Sequence, residues 1–447
     1  MISGTIGTQS YSYTDCLMVF RSREMRYLML LGAGGLGLWK LKRYMSRFTI
    51  KNATLHAGGM PRQEHDERRY RTYPALVPNT WYCIGDEIDF ESDQTKVIEV
   101  RAMHQTFALW KSSTGDYVCQ DAFCLHLGAN LAVGGHRTKD DCLRCPFHAW
   151  EFDKAGCIVK IPSSSSPHTC PSKPKLKTYP CRAWLGSIFV YFHADGAEPD
   201  WELSTVLEKQ LRDEKWKKDH KWDIGHVTLT VPDWVDQAGD HSHFEHLHGE
   251  FLLPWTTLPI PEWVYRFFPL AISHKLETFK GDDPAWAKLR KEKFGDKLGH
   301  LGKHNLYLVD NAALTWNGGI LDSSSSQTLV EFFGPANMVF DIPFTIGTFK
   351  VCVFTTPVEG GSVMRVRTFI DKRTWRNPLV YAICWVLSGI SASQLQSDID
   401  ILTNKIRLRK PMTQRYDGPW GRVNGWLKQF YSEGSDSVGQ ASYCPDW

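Results

Sequence analysis

The 447-residue sequence predicts an α+β fold: an all-β domain followed by a domain of antiparallel sheet and helices. From Tyr73 onward, short alternating or apolar runs are punctuated by Gly, Ser and Asp, which is the texture of antiparallel strands. After about Ala197 such runs mix with segments of helical period. The length suits two or three domains at ~150 residues apiece. With 42% hydrophobic and 23% charged residues, the composition is that of a globular protein. The 52 basic residues nearly cancel the 49 acidic ones, so the net charge of +3 gives no electrostatic footprint for nucleic acid. Twelve cysteines are too sparse over this length for a disulfide scaffold. The 18 Trp, 16 Tyr and 23 Phe supply flat apolar surface for a core or a greasy ligand pocket.

In chain order, residues 1–45 are an N-terminal segment marked by 27–39 (YLMLLGAGGLGLW), uncharged and apolar between Arg26 and Lys40. A full helical span takes ~20 residues. Snorkelling by Arg26, Lys40 and Lys42 would lengthen this short run, and a membrane anchor is expected here. Basic residues on both sides fix no orientation. Gly32, Gly34 and Gly37 match a dinucleotide fingerprint by spacing only, because a basic stretch follows them and not a βαβ unit with its acidic residue. Residues 46–74 are polar and charged and read as a linker. Residues 75–196 hold the strand-like runs KVIEVRAM, TFALWK, DYVCQDAF, GCIVKIP and GSIFVYFHAD, with a Ser/Pro loop at 162–175. Residues 197–447 hold TLVEFFG, TFKVCVFTTPV and SVMRVRTFI, the last two meeting across Glu359-Gly360-Gly361 as a hairpin. The apolar run 377–390 reads as a buried wall or membrane-contacting surface, with a closing helix after it.

Cys124-Leu125-His126 and Cys145-Pro146-Phe147-His148 are two Cys/His pairs separated by 18 residues. Such a set suits tetrahedral zinc. It suits better a [2Fe–2S] cluster with both thiolates on one iron and both imidazoles on the other, and the bland alternative is unrelated surface or core residues. Cys142 is an extra thiol; ligation by it would break the pairing of Cys145 with His148, so it is expected to be structural. Farther on, DQAGDHSHFEHLHGE places His241, His243, His246 and His248 within eight residues. Two histidines and a carboxylate are the ligand set of mononuclear non-haem iron. Two H-x4-H registers are available, His241/His246 and His243/His248. Near the end, SQLQSDIDILTNKIRLRK carries Leu395, Ile399, Leu402 and Ile406 at helical spacing. Asp398 falls with that stripe, Asp400 with Gln396 and Asn404 on the wet face. A carboxylate on a buried stripe is costly unless paired or metal-bound, which favours Asp398.

The stretches CLHLGANLAVGG and CPFHAWEFD, with the late D-x-x-I-x-x-N-K, resemble the Rieske-type non-haem iron oxygenases, and the likeness runs over roughly residues 73–447. VPNTWYCIGDEI and HLGANLAVGG are similar to the cholesterol 7-desaturase (Neverland-like) branch, whose members look membrane-anchored. The resemblance implies an all-β Rieske [2Fe–2S] domain at 75–196 and a helix-grip mononuclear iron domain at 197–447. It implies a cluster on Cys124, His126, Cys145 and His148, and Fe(II) on His243, His248 and Asp398. The family carries an Asp three residues before its first iron-binding His. Asp240 stands so before His243, while Ala238 stands so before His241, which selects the register His243/His248. Asp240 is thereby implied to bridge to the cluster of a neighbouring subunit in a homotrimer. An Asn common upstream in the family is replaced here by the pair Asp236 and Gln237. Also implied are NAD(P)H acting through a separate reductase, O2, a sterol substrate, and a single-pass membrane location, in the endoplasmic reticulum, with the catalytic region facing the cytosol. The activity implied is cholesterol 7-desaturation to 7-dehydrocholesterol. The alternatives are steroid hydroxylation of the 3-ketosteroid 9α type and small-amine monooxygenation. A zinc-bearing binding module or a pure electron carrier would leave the His/His/Asp set unused.

Overall fold

The computed structural model describes residues 76–438 apart from 164–173, 261, 294–301, 322–325, 344–347, 407, 409 and 410. The expected anchor at 27–39, the linker at 46–74 and most of the Ser/Pro loop lie outside the described residues. Strands β1 (Thr80–Asp86), β2 (Val97–Ala102), β3 (Gln105–Lys111), β4 (Tyr117–Asp121), β5 (His136–Arg137), β6 (Leu143–Arg144), β7 (Glu151–Phe152), β8 (Ile158–Lys160), β9 (Thr178–Tyr179), β10 (Cys181–Trp184) and β11 (Ser187–Phe192) come first. They make three antiparallel sheets, ordered β1-β11-β10, β2-β3-β4-β9 and β5-β6-β7-β8. The last is built from strands of two or three residues, too short to hold by their own ladders. Packing secures them: Leu143, Phe152 and Ile158 share a core with Trp110, Val118 and Leu131.

The second part runs α1 (Thr205–Asp213), β12 (Lys217–Val227), α2 (Val231–Asp236), α3 (Ser242–Leu247), α4 (Glu262–Phe267), β13 (Leu270–Ser273), β14 (Leu276–Lys280), α5 (Pro284–Lys293), β15 (Asn305–Trp316), β16 (Gly319–Ile320), β17 (Ser326–Phe333), β18 (Asn337–Pro343), β19 (Thr348–Val358), β20 (Gly361–Ile370), α6 (Lys372–Arg376), α7 (Pro378–Leu402) and α8 (Trp420–Leu427). Its antiparallel sheet has the order β12-β20-β19-β18-β17-β15-β13, with β14 and β16 also paired to β15. The expected hairpin is present: Val358 pairs with Gly361 across Glu359 and Gly360, and Gly360 has φ +73°.

The two-residue period of the strands decides what each face does. Val330 and Phe332 of β17, Met338 and Phe340 of β18, and Val351 and Val353 of β19 line a cavity. Their alternates Phe333, Val339, Cys352 and Phe354 pack instead with Trp81, Trp184 and Phe189 of the small β1-β11-β10 sheet. The layers on either side of residue 197 therefore share one core, and the described residues belong to one compact unit. Polar bonds fasten the same seam. The Arg367 guanidinium, fully buried, donates to both carboxylate oxygens of Asp86 at 3.1 and 2.7 Å, and Ser187 Oγ donates to Asp86 at 2.7 Å. Asn337 Nδ2 donates to the Trp81 carbonyl at 2.8 Å, and Thr356 Oγ1 to that of Cys83 at 2.6 Å.

One expectation is corrected by the structure. The apolar run 377–390 and the closing helix are not separate elements; α7 is one helix of 25 residues. Asn377 caps it by accepting from the amides of Leu379 and Val380, and Pro378 occupies its first turn. Gly389 does not break it, because the helix needs the space there: an added Cβ would lie 2.4 Å from Trp255 Nε1. By length and composition α7 is apolar enough to cross a membrane. In the fold, its inward residues Leu387, Ile390, Ser391 and Leu395 cover the cavity side of the sheet.

Candidate functional site

The two Cys/His loops are near-copies of each other. In the first, the Cys124 amide donates to the Ala129 carbonyl at 2.9 Å, and the Gly128 amide returns to the Cys124 carbonyl at 2.9 Å. In the second, the Cys145 amide donates to Trp150 at 2.8 Å and the Ala149 amide to Cys145 at 3.2 Å. Gly128 and Ala149, each four residues past its Cys, both have positive φ (+70° and +58°). Gly135 sits where a Cβ would meet the Leu131 carbonyl oxygen at 2.0 Å, so only glycine fits there.

Cys124 and Cys145 are buried while His126 and His148 are exposed. The two imidazoles stand edge to face at 4.6 Å, and His126 stacks on Trp150, also at 4.6 Å. Burial, reinforced by the neighbouring Cys145 thiol, pushes the Cys124 thiol up to about 12, against the opposing pull of the His126 and Leu127 amides directed at its sulfur. A thiol held neutral by burial becomes a thiolate on binding iron, and amides aimed at sulfur suit that charge. Two inner thiols and two outer imidazoles are the donor asymmetry of a Rieske cluster, and the four residues fit the group. Cys142 is buried with its Sγ 3.4 Å from the Asp140 carbonyl, away from this constellation. The nine cysteines among the described residues are all free.

The second centre is built where α3 meets α7. A capping box between Thr230 and Asp233 starts α2, and the chain then turns through Asp240 into the short α3. His243 lies in its first turn and His248 at its C-cap, so both rings reach the same side of the turn. His243 Nδ1 bonds to the Asp240 carbonyl, which leaves Nε2 directed outward. Nε2 of His248 is 3.0 Å from Asp398 Oδ1, and Nε2 of His243 is 4.0 Å from it. One donor atom from each of the three residues lies within 4.8 Å of the others. Asp398 Oδ1 and His248 Nδ1 are buried without a hydrogen-bond partner. A carboxylate oxygen and an imidazole that approach so closely without forming a hydrogen bond share an external point of aim, as ligands of one cation do. This donor set fits iron(II).

The other candidates point elsewhere. His241 Nε2 bonds to Thr278 Oγ1 at 2.7 Å, and burial lowers its pKa; His246 is exposed. Asp400 accepts from Gln396 Nε2 at 2.8 Å, and burial raises its pKa. Asp236 is taken by Lys405 at 3.3 Å and Asn424 at 3.2 Å, while Gln237 lines the cavity. The Asp240 carboxylate is half-exposed. Burial pushes it up, but hydrogen bonds from His243 and Ser242 and the His243 charge outweigh that, leaving it below the ordinary range.

From His243, His248 and Asp398 a cavity of about 1180 Å³ opens between the sheet and α7. Trp234, Phe244, Phe251, Phe332 and Phe340 give it an apolar wall. Phe268 and Ile383 both line it and are exposed, 63% and 39%, and so mark its mouth. Sequence reasoning missed two features. Trp150, which backs His126, was visible only as part of CPFHAWEFD. The buried pair His274–Asp310, 2.7 Å apart in the cavity wall, was signalled only by one charged residue in the apolar strand NLYLVDNAALTW.

Two family models match the chain, a Rieske [2Fe-2S] domain at residues 80–180 and a 3-ketosteroid 9alpha-hydroxylase C-terminal domain at 190–431. A cholesterol 7-desaturase of Caenorhabditis elegans is 28% identical over 83% of this chain and 81% of its own length. One from Ciona intestinalis is 28% identical over 96% and 88%. The oxygenase component of a Rhodococcus rhodochrous 3-ketosteroid-9-alpha-monooxygenase is 24% identical over 82% and 86%. Among solved structures, dicamba monooxygenase bound to dicamba superposes with TM-score 0.52 at 14% identity, covering 80% of this chain and 98% of that one, and shares the fold. With the second of the two domain models alone spanning more than half its length, the chain belongs to the Rieske-type non-haem iron oxygenases, a family of oxidoreductases that take electrons from a reductase and use O2.

Proposed function

We propose that the chain is a sterol desaturase that converts cholesterol to 7-dehydrocholesterol, with electrons originating in NAD(P)H and arriving through a separate reductase. The observation that carries this reading is the apolar cavity of about 1180 Å³ that ends at His243, His248 and Asp398. Ordinary ligand sites occupy ~300–1,000 Å³, so a small amine would leave most of this one unfilled. The names of the Caenorhabditis and Ciona relatives support the choice of sterol.

We assign the cluster to Cys124, His126, Cys145 and His148, and the iron to His243, His248 and Asp398. When bound, these centres supply one-electron transfer and the activation of O2, which side chains cannot. The chain's own residues do the rest. The Asp240 carbonyl sets the His243 tautomer and ring orientation. Gln394 ties α7 to the His248 carbonyl at 3.2 Å, keeping Asp398 in register with the histidines. The aromatic wall excludes water and holds the sterol's C–H pair toward the ligand end. The overall balance removes two hydrogens from the sterol; with O2, two electrons and two protons they leave as two waters. Asp240 is assigned the contact to a cluster histidine of a neighbouring subunit in a homotrimer, a role that suits the exposure of His126 and His148.

The division into a cluster domain at 75–196 and an iron domain at 197–447, with an anchor at 27–39, completes the proposal. Membrane association is supported by the exposed apolar residues Trp263, Phe267 and Phe268 in and just after α4, each 61–72% exposed, of which Phe268 stands at the cavity mouth. A sterol leaving a bilayer of the endoplasmic reticulum would enter there with little of its surface wetted.

Hydroxylation of a 3-ketosteroid is the second reading, favoured by the matched C-terminal domain. Incubation with cholesterol, a Rieske reductase, NADPH and O2, followed by mass analysis, separates the two. Loss of two hydrogens supports the desaturase. Gain of one oxygen, or turnover of 3-ketosteroids alone, sinks it.

A further inference from the structure

One polar pair is built into the otherwise apolar cavity wall. His274 follows β13, and Asp310 lies on β15 where it pairs with Leu276 at the start of β14. His274 Nδ1 is 2.7 Å from Asp310 Oδ2, and each side chain is only 8% exposed. Each keeps one buried atom without a partner, Nε2 of His274 and Oδ1 of Asp310. Buried polar atoms are almost always paired in folded proteins, because leaving one unpaired forfeits its hydration. In a cavity wall the missing partner is one that a ligand brings.

The position of the pair is informative. The Phe244 ring lies 5.2 Å from His248 and 5.5 Å from His274, so the pair and a candidate iron ligand border the same aromatic side chain. In a 3-hydroxysterol the hydroxyl-bearing carbon sits on ring A and C7 on the fused ring B, so the hydroxyl and the reacting carbon are close neighbours as well. The chemistry is specific as well. Asp310 accepts the Nδ1 proton, the tautomer whose lone pair is at Nε2, and its own partnerless Oδ1 is an acceptor as well. That lone pair needs an O–H donor. A hydroxyl supplies one and a ketone does not.

We propose that His274, oriented by Asp310, is the anchor for the 3-hydroxyl of the sterol and selects 3-hydroxysterols over 3-ketosteroids. This rests on the sterol reading above and goes beyond it, because it names the group recognised and the residue that recognises it. Asp310 is a positioning residue: it fixes the tautomer and the ring plane.

The test is equilibrium binding of radiolabelled cholesterol, of 5-cholestene (which lacks the hydroxyl) and of cholest-4-en-3-one to the purified holoprotein in detergent. The expected result is cholesterol bound roughly tenfold more tightly than either competitor, a typical return for one satisfied buried hydrogen bond. His274→Phe should lower cholesterol binding to the level of 5-cholestene and leave 5-cholestene within about twofold of wild type. Asp310→Asn should erode the preference for cholesterol over the ketone. Equal wild-type affinity for cholesterol and 5-cholestene, or a preference for the ketone, overturns the anchor while leaving the sterol reading intact. Loss of both ligands alike in a folded His274→Phe reduces the pair to packing and also overturns it. Binding of none of the three by wild type overturns the sterol reading, and the anchor falls with it. The wild-type comparison requires no variant, so it decides the matter even if both substitutions prevent folding.

Discussion

A single backbone carbonyl decides how His243 faces. By taking its Nδ1 proton, the Asp240 carbonyl leaves Nε2 toward Asp398, and the same turn sends His241 to Thr278. The resemblance favoured His243/His248 because an Asp stands three residues before one histidine and an Ala before the other, and these are the two rings that gather with Asp398. Asp398 was legible from its place on the apolar stripe, and it is buried as that stripe requires. The His274–Asp310 pair was not legible. Its members are 36 residues apart in sequence, and only the register of β13 and β15 brings them together. At this scale Asp398→Ala is expected to abolish turnover and mononuclear iron retention while the visible spectrum of the cluster persists. Asp400→Asn is expected to retain most activity. Metal analysis and absorbance on the same samples check both, and wild-type turnover in Asp398→Ala would move the carboxylate ligand elsewhere.

Among the elements, strands were read well and helix limits poorly. Alternation located β2, β3, β11, β17, β19 and β20, since a pleated strand with one face on a core repeats every second residue. The two-residue strands of the cluster sheet carry too few positions for any period to show. The continuity of α7 through Gly389 depends on Trp255, which is distant in sequence. Strand β17 carries a testable burden in Glu331, buried on the face opposite the cavity. Burial pushes its carboxyl up to about 7; Asp341 adds to the rise, and Lys350 and Arg290 oppose it. The unfolded chain releases that proton near ~4.3. Between those values the folded state binds more protons than the unfolded state, so this group's contribution to stability declines as pH rises toward 7 and stays low above it. Glu331→Gln is therefore expected to match wild type at pH 4 and to exceed it at pH 8 by on the order of 3–4 kcal/mol. Denaturant unfolding at the two pH values checks this, and an unchanged gap would remove Glu331 from the account.

Across the whole molecule, the boundary near 197 marks a change of texture in the sequence, but the core runs through it. Trp81 and Phe354 belong to one cluster, and Arg367 reaches across to Asp86. No local pattern announces such a seam, because its members come from strands more than 250 residues apart. Removing the guanidinium with Arg367→Leu strips a buried carboxylate of its two-pronged partner, a change that typically costs 3–5 kcal/mol, so roughly that loss is expected here. Because the layers share a core, cluster absorbance and tryptophan fluorescence should report one melting temperature in wild type, and both should drop together in the variant. Two separated transitions in wild type would show that the layers unfold independently.

Helix α7 presents Leu387, Ile390, Ser391 and Leu395 to the cavity and Asp398 to the two histidines. On the proposed reading, substrate fit and the iron's ligand field hang on a single rigid lever. Anyone recutting the pocket for a bulkier steroid from that side would also retune the carboxylate, and the variants to screen first are those on the sheet, whose strands hold none of the three donors.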